Sequence, residues 1–200
     1  MKSGNRNKLY VQDFWFWFGS ISDALAENFE NQTILNELDR RSTELHPSLS
    51  WEIGPGVERE CMLAISPNLD LTLLTMTKHI ISFSPNLKKW EFYPARQPKN
   101  WNYLVEFLNS DHEPVVFDIS SWGYVLLEYP DGIREILLVA NRPISGDNNT
   151  RLQVASIALE SILGEESFLE KVGHFEIVDQ LEPEFKGKEK SIKHLKNAFS

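Results

Sequence analysis

The sequence predicts an α+β fold: antiparallel sheet or sheets with helices packed on one face, preceded by a two-helix N-terminal extension. Three observations predict it. Apolar residues recur at helical spacing through the first 45 positions. Two stretches read as β-hairpins around Gly-Pro-Gly and Pro-Asp-Gly turns. Each hairpin is followed by a helical pattern and then by a strand. Twelve Phe, six Trp and five Tyr, within a 42% apolar composition over 200 residues, supply the bulk for a buried core.

Residues 1–10 are polar and read as disordered. Phe14, Phe18, Ile21, Leu25 and Phe29 then keep a helical period, thickened by Trp15 and Trp17, with Asp13 as N-cap or first-turn acid. Ile34, Leu35, Leu38 and Leu45 mark a second helix, capped by Asn31 or Thr33 and closed before Pro47. Trp51-Glu52-Ile53 and Glu60–Ile65 form a hairpin around Gly54-Pro55-Gly56. Ser66-Pro67 opens a third helix through Leu69, Leu73, Met76, Ile80 and Phe83, which Pro85 stops. Trp90–Tyr93 is a strand. Residues 100–109 fit a helix or a strand, and the alternation of Tyr103, Val105 and Phe107 leans to strand. Ser110–Pro114 is a loop and Val115–Ile119 a strand. Tyr124–Tyr129 and Glu135–Ala140 pair around Pro130-Asp131-Gly132, where both Asp and Gly tolerate positive φ. After a loop at Gly146–Asn149, Leu152–Leu163 is a helix ending at Gly164. Phe168-Leu169 is a short further segment, and Phe175–Val178 is the last strand.

Residues 11–181 read as one α+β domain in which two halves, about 11–98 and 99–181, share the order hairpin, helix, strand. Pro55-Gly56-Val57-Glu58-Arg59-Glu60 lies beside Pro130-Asp131-Gly132-Ile133-Arg134-Glu135, so a duplicated ββαβ unit is an expectation. Residues 182–200 read as a basic mobile tail. The net charge of −9 divides into +4 over Phe185–Ser200 (five Lys against Glu189) and −13 elsewhere.

That acidity disfavours general nucleic-acid binding, because phosphate backbones repel it. The lone cysteine, Cys61, lies in the apolar run Cys61-Met62-Leu63-Ala64-Ile65; it reads as a buried structural thiol in a reducing compartment. No apolar stretch reaches the length of a membrane span, and the N-terminus does not read as a signal peptide, so a soluble cytoplasmic protein is expected. Glycine-rich phosphate loops, cysteine pairs and His-Glu-x-x-His are missing, so no cofactor and no metal are expected.

Catalytic constellations are equally thin. Asp111-His112-Glu113 reads as a polar turn. Ser120-Ser121-Trp122-Gly123 lacks the first glycine of a nucleophile elbow. Glu52, Glu58, Glu60, Glu128 and Glu135 read as a solvated strand face interleaved with Arg59 and Arg134. No catalytic residue is assigned. The binding candidates are Trp15 and Trp17, as partner-facing aromatics, and Arg96 and Arg142, as strand-end guanidinium groups able to hold a carboxylate or phosphate. Five successive rings at 14–18 cannot all hide on one helix face, so some must meet another element or another chain.

The aromatic run Phe14–Phe18, Ile53-Gly54, Ser84-Pro85-Asn86-Leu87-Lys88-Lys89-Trp90, Leu163-Gly164-Glu165 and Val172-Gly173 resemble, over roughly residues 13–180, an uncharacterised family of bacterial α+β proteins of unknown function. The resemblance implies a bacterial origin and supplies no catalytic residue. The expected function is a non-enzymatic protein-binding or regulatory module, an adaptor or immunity-type inhibitor, with another protein or a second copy of itself as partner. The alternative is a small enzyme assembled from dispersed Glu, His and Arg.

Overall fold

Local signals place most of the elements in the structure, a computed structural model that describes residues 3–108, 113–140 and 148–199. The chain divides into two units, Met1–Gln97 and Pro98–Ser200. The first contains α1 (Ser3–Glu27), α2 (Gln32–Leu45), β1 (Ser50–Pro55), β2 (Cys61–Ser66), α3 (Leu71–Ile81) and β3 (Trp90–Tyr93). Its sheet has the order β1-β2-β3, with β1 antiparallel and β3 parallel to β2. The parallel pair refines the antiparallel expectation. A helical crossover returns the chain in the direction it left, so the strand after α3 enters parallel to the strand before it.

The first helix starts at Ser3, not near Asp13, so helix replaces the expected disorder over residues 3–10. Extending a helix already nucleated by packed turns costs little, and Asp13 becomes an exposed mid-helix residue in place of a cap. Asn31 does cap α2, its side-chain oxygen accepting from the Ile34 N–H at 3.3 Å. The third helix starts later than Ser66-Pro67 suggests. Asn68 and Leu69 pass through left-handed backbone (φ 55° and 60°), which a right-handed helix excludes. Asp70 caps instead, its carboxylate accepting from the Thr72 N–H at 2.8 Å.

The core of this unit is aromatic. Cys61, Leu63 and Ile65 alternate along β2 and bury against Phe14, Trp15, Phe18 and Leu25 of α1, Leu38 of α2 and Ile80 of α3. Phe18 meets the Trp90 ring edge-on at 5.0 Å, and Trp15 meets Phe92 at 4.8 Å. Both buried indoles find acceptors. Trp15 Nε1 donates to the Ile80 carbonyl at 2.8 Å and Trp90 Nε1 to the Ser22 carbonyl at 3.0 Å, tying α1 to α3 and to β3. Cys61 is buried, and burial first, then Glu60, pushes its thiol pKa up.

The second unit contains β4 (Leu104–Leu108), β5 (Pro114–Asp118), β6 (Gly123–Glu128), β7 (Arg134–Val139), α4 (Asn148–Leu163), α5 (Glu165–Lys171), β8 (Val172–Val178) and β9 (Lys190–Ser191). β4 and β5 form a two-stranded antiparallel sheet, so residues 100–109 yield a strand. The other sheet has the order β8-β7-β6-β9, with β7 antiparallel to β6 and parallel to β8. α4 ends where Gly164 turns left-handed (φ 79°) against Pro98, whose Cδ lies 2.8 Å from where a Cβ would sit.

The C-terminal segment is not a tail. β9 pairs with β6, single 3-10 turns follow, and Ile192, Leu195 and Phe199 are buried, as are Tyr124, Ile136 and Leu138 of the same unit. Lys171 Nζ donates to the Phe199 carbonyl at 2.9 Å, and the Arg134 guanidinium lies 4.7 Å over the Phe199 ring. The charge count concealed three apolar residues at near-helical spacing between the lysines. Among the described residues, no helix is long and apolar enough to cross a membrane.

Candidate functional site

Helical geometry sorts the five rings of α1. Successive residues turn by about 100°, so Phe14, Trp15 and Phe18, with Val11 and Leu25, share the face that packs on the sheet, and all are buried. Phe16 stands on the far side and is 85% exposed. Leu9 and Tyr10, earlier on the helix, are 59% and 45% exposed. Trp17 lies between these faces, half-buried, with the Arg41 guanidinium of α2 stacked 4.9 Å above its ring.

Arg41 is held there by its own helix. Its Nε donates to Glu37 Oε1 at 2.7 Å. Arg40 Nη2 reaches the same carboxylate at 2.7 Å and pairs through Nη1 with Glu44. Arg40 first, then Arg41, lower the Glu37 pKa to about 2; Glu37 in turn raises that of Arg40. The Glu37 carboxylate therefore stays charged at any ordinary pH and keeps both guanidinium groups oriented. Two depressions flank the ridge and share Asp13 and Arg41. One, of about 210 Å³, is lined by Tyr10, Phe14, Arg40 and Glu44. The other, of about 390 Å³, is lined by Phe16, Trp17 and Ser20. Exposed aromatics beside an oriented guanidinium make a surface suited to seating an apolar side chain and its polar surround.

The sequence candidates distribute unevenly. Trp15 is corrected from binding residue to core: it is 4% exposed and its indole N–H is spent on Ile80. Trp17 remains at the surface. Arg96 follows β3, and its Nη2 donates to Ser50 Oγ at 2.8 Å, linking it to the start of β1. Arg142 and the Asp111-His112 pair lie outside the described residues. Phe16, Tyr10 and Arg41 were missed, although the helical period that predicts the buried face also predicts that Phe16 leaves it.

A second cleft, of about 470 Å³, lies between the β1–β2 loop, Ser84–Asn86 and β3. Two of its charged groups, Glu91 and Arg59, are occupied internally. The Glu91 carboxylate accepts from the N–H groups of Val57, Glu58 (3.0 Å) and Arg59 (3.2 Å). Burial raises the Glu91 pKa, but those N–H groups and the Tyr93 hydroxyl outweigh it, and the net shift is downward. Arg59 Nη1 donates to the carbonyls of Leu87 and Trp90 (2.8 Å), and Nη2 to Asn86 Oδ1 at 3.3 Å. This is a structural clasp. In the second unit Glu128 pairs with Arg134 at 2.9 Å, Glu135 accepts from the Tyr129 hydroxyl at 2.9 Å, and Asp118 accepts from the Ser120 N–H at 2.8 Å. Among the described residues, no cluster of three His, Cys, Asp or Glu is arranged to hold a metal ion.

Comparison of the chain with family models, with curated proteins and with solved structures returns no match.

Proposed function

We propose that this chain is a non-enzymatic protein-binding module, of the adaptor or immunity type, that acts in the cytoplasm and docks its partner on the ridge formed by Tyr10, Phe16, Trp17 and Arg41. The observation that carries the reading is Phe16, a large ring 85% exposed in the middle of a helix whose neighbouring rings are used in the core. An isolated exposed apolar residue is ordinary. Here it stands with Leu9, Tyr10 and a guanidinium-capped Trp beside two depressions, the residue types that dominate binding hot spots. The net charge of −9 favours basic partners and speeds their encounter. An enzyme built from dispersed carboxylates draws less support. The Glu37, Asp70 and Glu91 carboxylates move downward, away from the raised pKa a general acid needs.

Affinity capture from lysate with the wild-type chain and with Phe16→Asp tests the reading. The expected outcome is a protein retained at least about tenfold better by the wild type, with the variant's stability within about 0.5 kcal/mol, as for an exposed site. Equal capture by both chains removes the ridge from the function.

A further inference from the structure

Asp13 stands in the middle of the α1 ridge. Tyr10 lies one turn before it, and Phe16 and Trp17 one turn after, so at about 100° per residue the four side chains share one side of the helix. Asp13 is exposed and lines both depressions beside that ridge. Among the described residues its carboxylate has no hydrogen bond or ion pair. The other charged groups lining the two depressions are matched within the chain. Glu37 holds Arg40 and Arg41, and Glu44 pairs with Arg40. The charge left over on the ridge is that of Asp13.

The ridge already shows how it receives a cation. The Arg41 guanidinium stacks 4.9 Å above the Trp17 ring while its Nε donates to Glu37 at 2.7 Å. A ring and a carboxylate thus hold one planar cation from two sides. Asp13 with Phe16 and Tyr10 repeats the carboxylate and the rings and lacks the guanidinium. Phe16 is 85% exposed and Tyr10 45%, so both rings are open to a planar group.

We infer that the partner docked on this ridge presents an arginine, whose guanidinium forms an ion pair with Asp13 and lies against the Phe16 ring. The inference rests on the ridge being the docking surface. A partner that covers Phe16 also takes Asp13, one turn away, out of water, and a carboxylate desolvated without a counter-charge is strongly unfavourable. Arg41 does not supply that charge, because Glu37 and Trp17 hold it and it makes no ion pair with Asp13. An acidic partner surface would repel the carboxylate, and a purely apolar one would strand it. Arginine suits the place better than lysine, since its planar fork binds a carboxylate bidentately and stacks on a ring, as Arg41 does on Trp17.

Random peptides displayed on phage and selected on the full chain test this, with the eluted peptides synthesised and their affinities measured. Phe16→Ser removes the ring without adding charge, so peptides that lose at least about tenfold in affinity for it define the ridge binders. Among these, changing the peptide's arginine to glutamine is expected to weaken binding to the wild type about tenfold or more, and binding to Asp13→Asn less than about threefold, because there the pair is already broken. Asp13 is exposed, so the melt of Asp13→Asn is expected to match that of the wild type. Ridge binders with lysine or no cation in place of arginine, or an arginine-to-glutamine loss of the same size on both chains, would overturn the inference and leave the ridge as a docking surface. Binders that are all indifferent to Phe16→Ser would remove the ridge itself, and the inference with it.

Discussion

The two hairpins that begin the ββαβ successions have loops of the same length, residues 56–60 and 129–133, closed by the same bond. The first loop residue donates to the last: Gly56 N–H to the Glu60 carbonyl at 3.2 Å, Tyr129 N–H to the Ile133 carbonyl at 3.0 Å. Their interiors differ. The second loop is satisfied from within: Asp131 accepts from the Ile133 N–H at 3.0 Å and Gly132 supplies left-handed backbone at φ 85°. The first has no such Asp-Gly pair, and its N–H groups turn to Glu91 on the parallel strand β3. One hairpin is therefore locally closed, and the other depends on a residue more than 30 positions away. By loop geometry Gly56 corresponds to Tyr129, so the similar Pro-to-Glu stretches of the sequence fall two residues out of structural step. Arg59 lies in its loop, whereas Arg134 opens β7.

The cores differ in material as well. Unit 1 stacks rings from α1 and β3. Unit 2 is mainly aliphatic, with Val154, Ala155, Ala158 and Leu159 of α4, and adds Ile192, Leu195 and Phe199 from its C-terminal segment. The same strand order thus tolerates quite different covers, provided that apolar area is buried.

The largest test of this contrast removes the C-terminal cover. Ile192→Ala with Leu195→Ala is expected to destabilise unit 2 by about 4 kcal/mol or more, at roughly 2–5 kcal/mol for each truncated buried aliphatic. Amide exchange would read it as lost protection in β6 and β7, with β2 unchanged. Full protection would return the segment to a solvated tail. Next comes Trp15→Ala, expected to cost unit 1 about 3–5 kcal/mol in denaturant unfolding. Trp15→Phe keeps most of the burial and loses the bond to Ile80, about 1–2 kcal/mol. A neutral Trp15→Ala would detach this ring from the core. The smallest effect sharpens the hairpin comparison. Glu91→Gln is expected to cost about 1 kcal/mol, given partial exposure, and to speed exchange of the Val57, Glu58 and Arg59 amides, while Asp131→Asn acts only within its own loop.

The pH dependence follows from the sign of the Glu91 shift. Its folded pKa lies below the unfolded value near 4.3. Its contribution is complete above that value and disappears as pH falls through the folded pKa. Acid is therefore expected to open the residue 57–59 amides in the wild type and to change them less in Glu91→Gln. Equal acid responses would show that the clasp does not depend on the carboxylate charge.

Local patterns in the sequence settled a good deal. Periodicity over residues 14–25 and 34–45 marked α1 and α2. The Asp-Gly turn placed the second hairpin, and Gly164 ended α4, because each depends on the backbone preferences of neighbouring residues. The buried thiol of Cys61 followed from its apolar run. Tertiary structure alone decided the rest. Trp15 and Phe16 are adjacent in sequence and opposite in role, since only packing against Ile80 and Phe92 shows which ring is covered. Glu91 and Arg59 are ordinary surface charges until β3 lies parallel to β2 and brings them together. Ile192, Leu195 and Phe199 read as a lysine-rich tail because burial in unit 2 depends on residues far earlier in the chain. A short-range pattern records what a segment does to itself, whereas whether it meets water or another segment is set by chain closure over long distances.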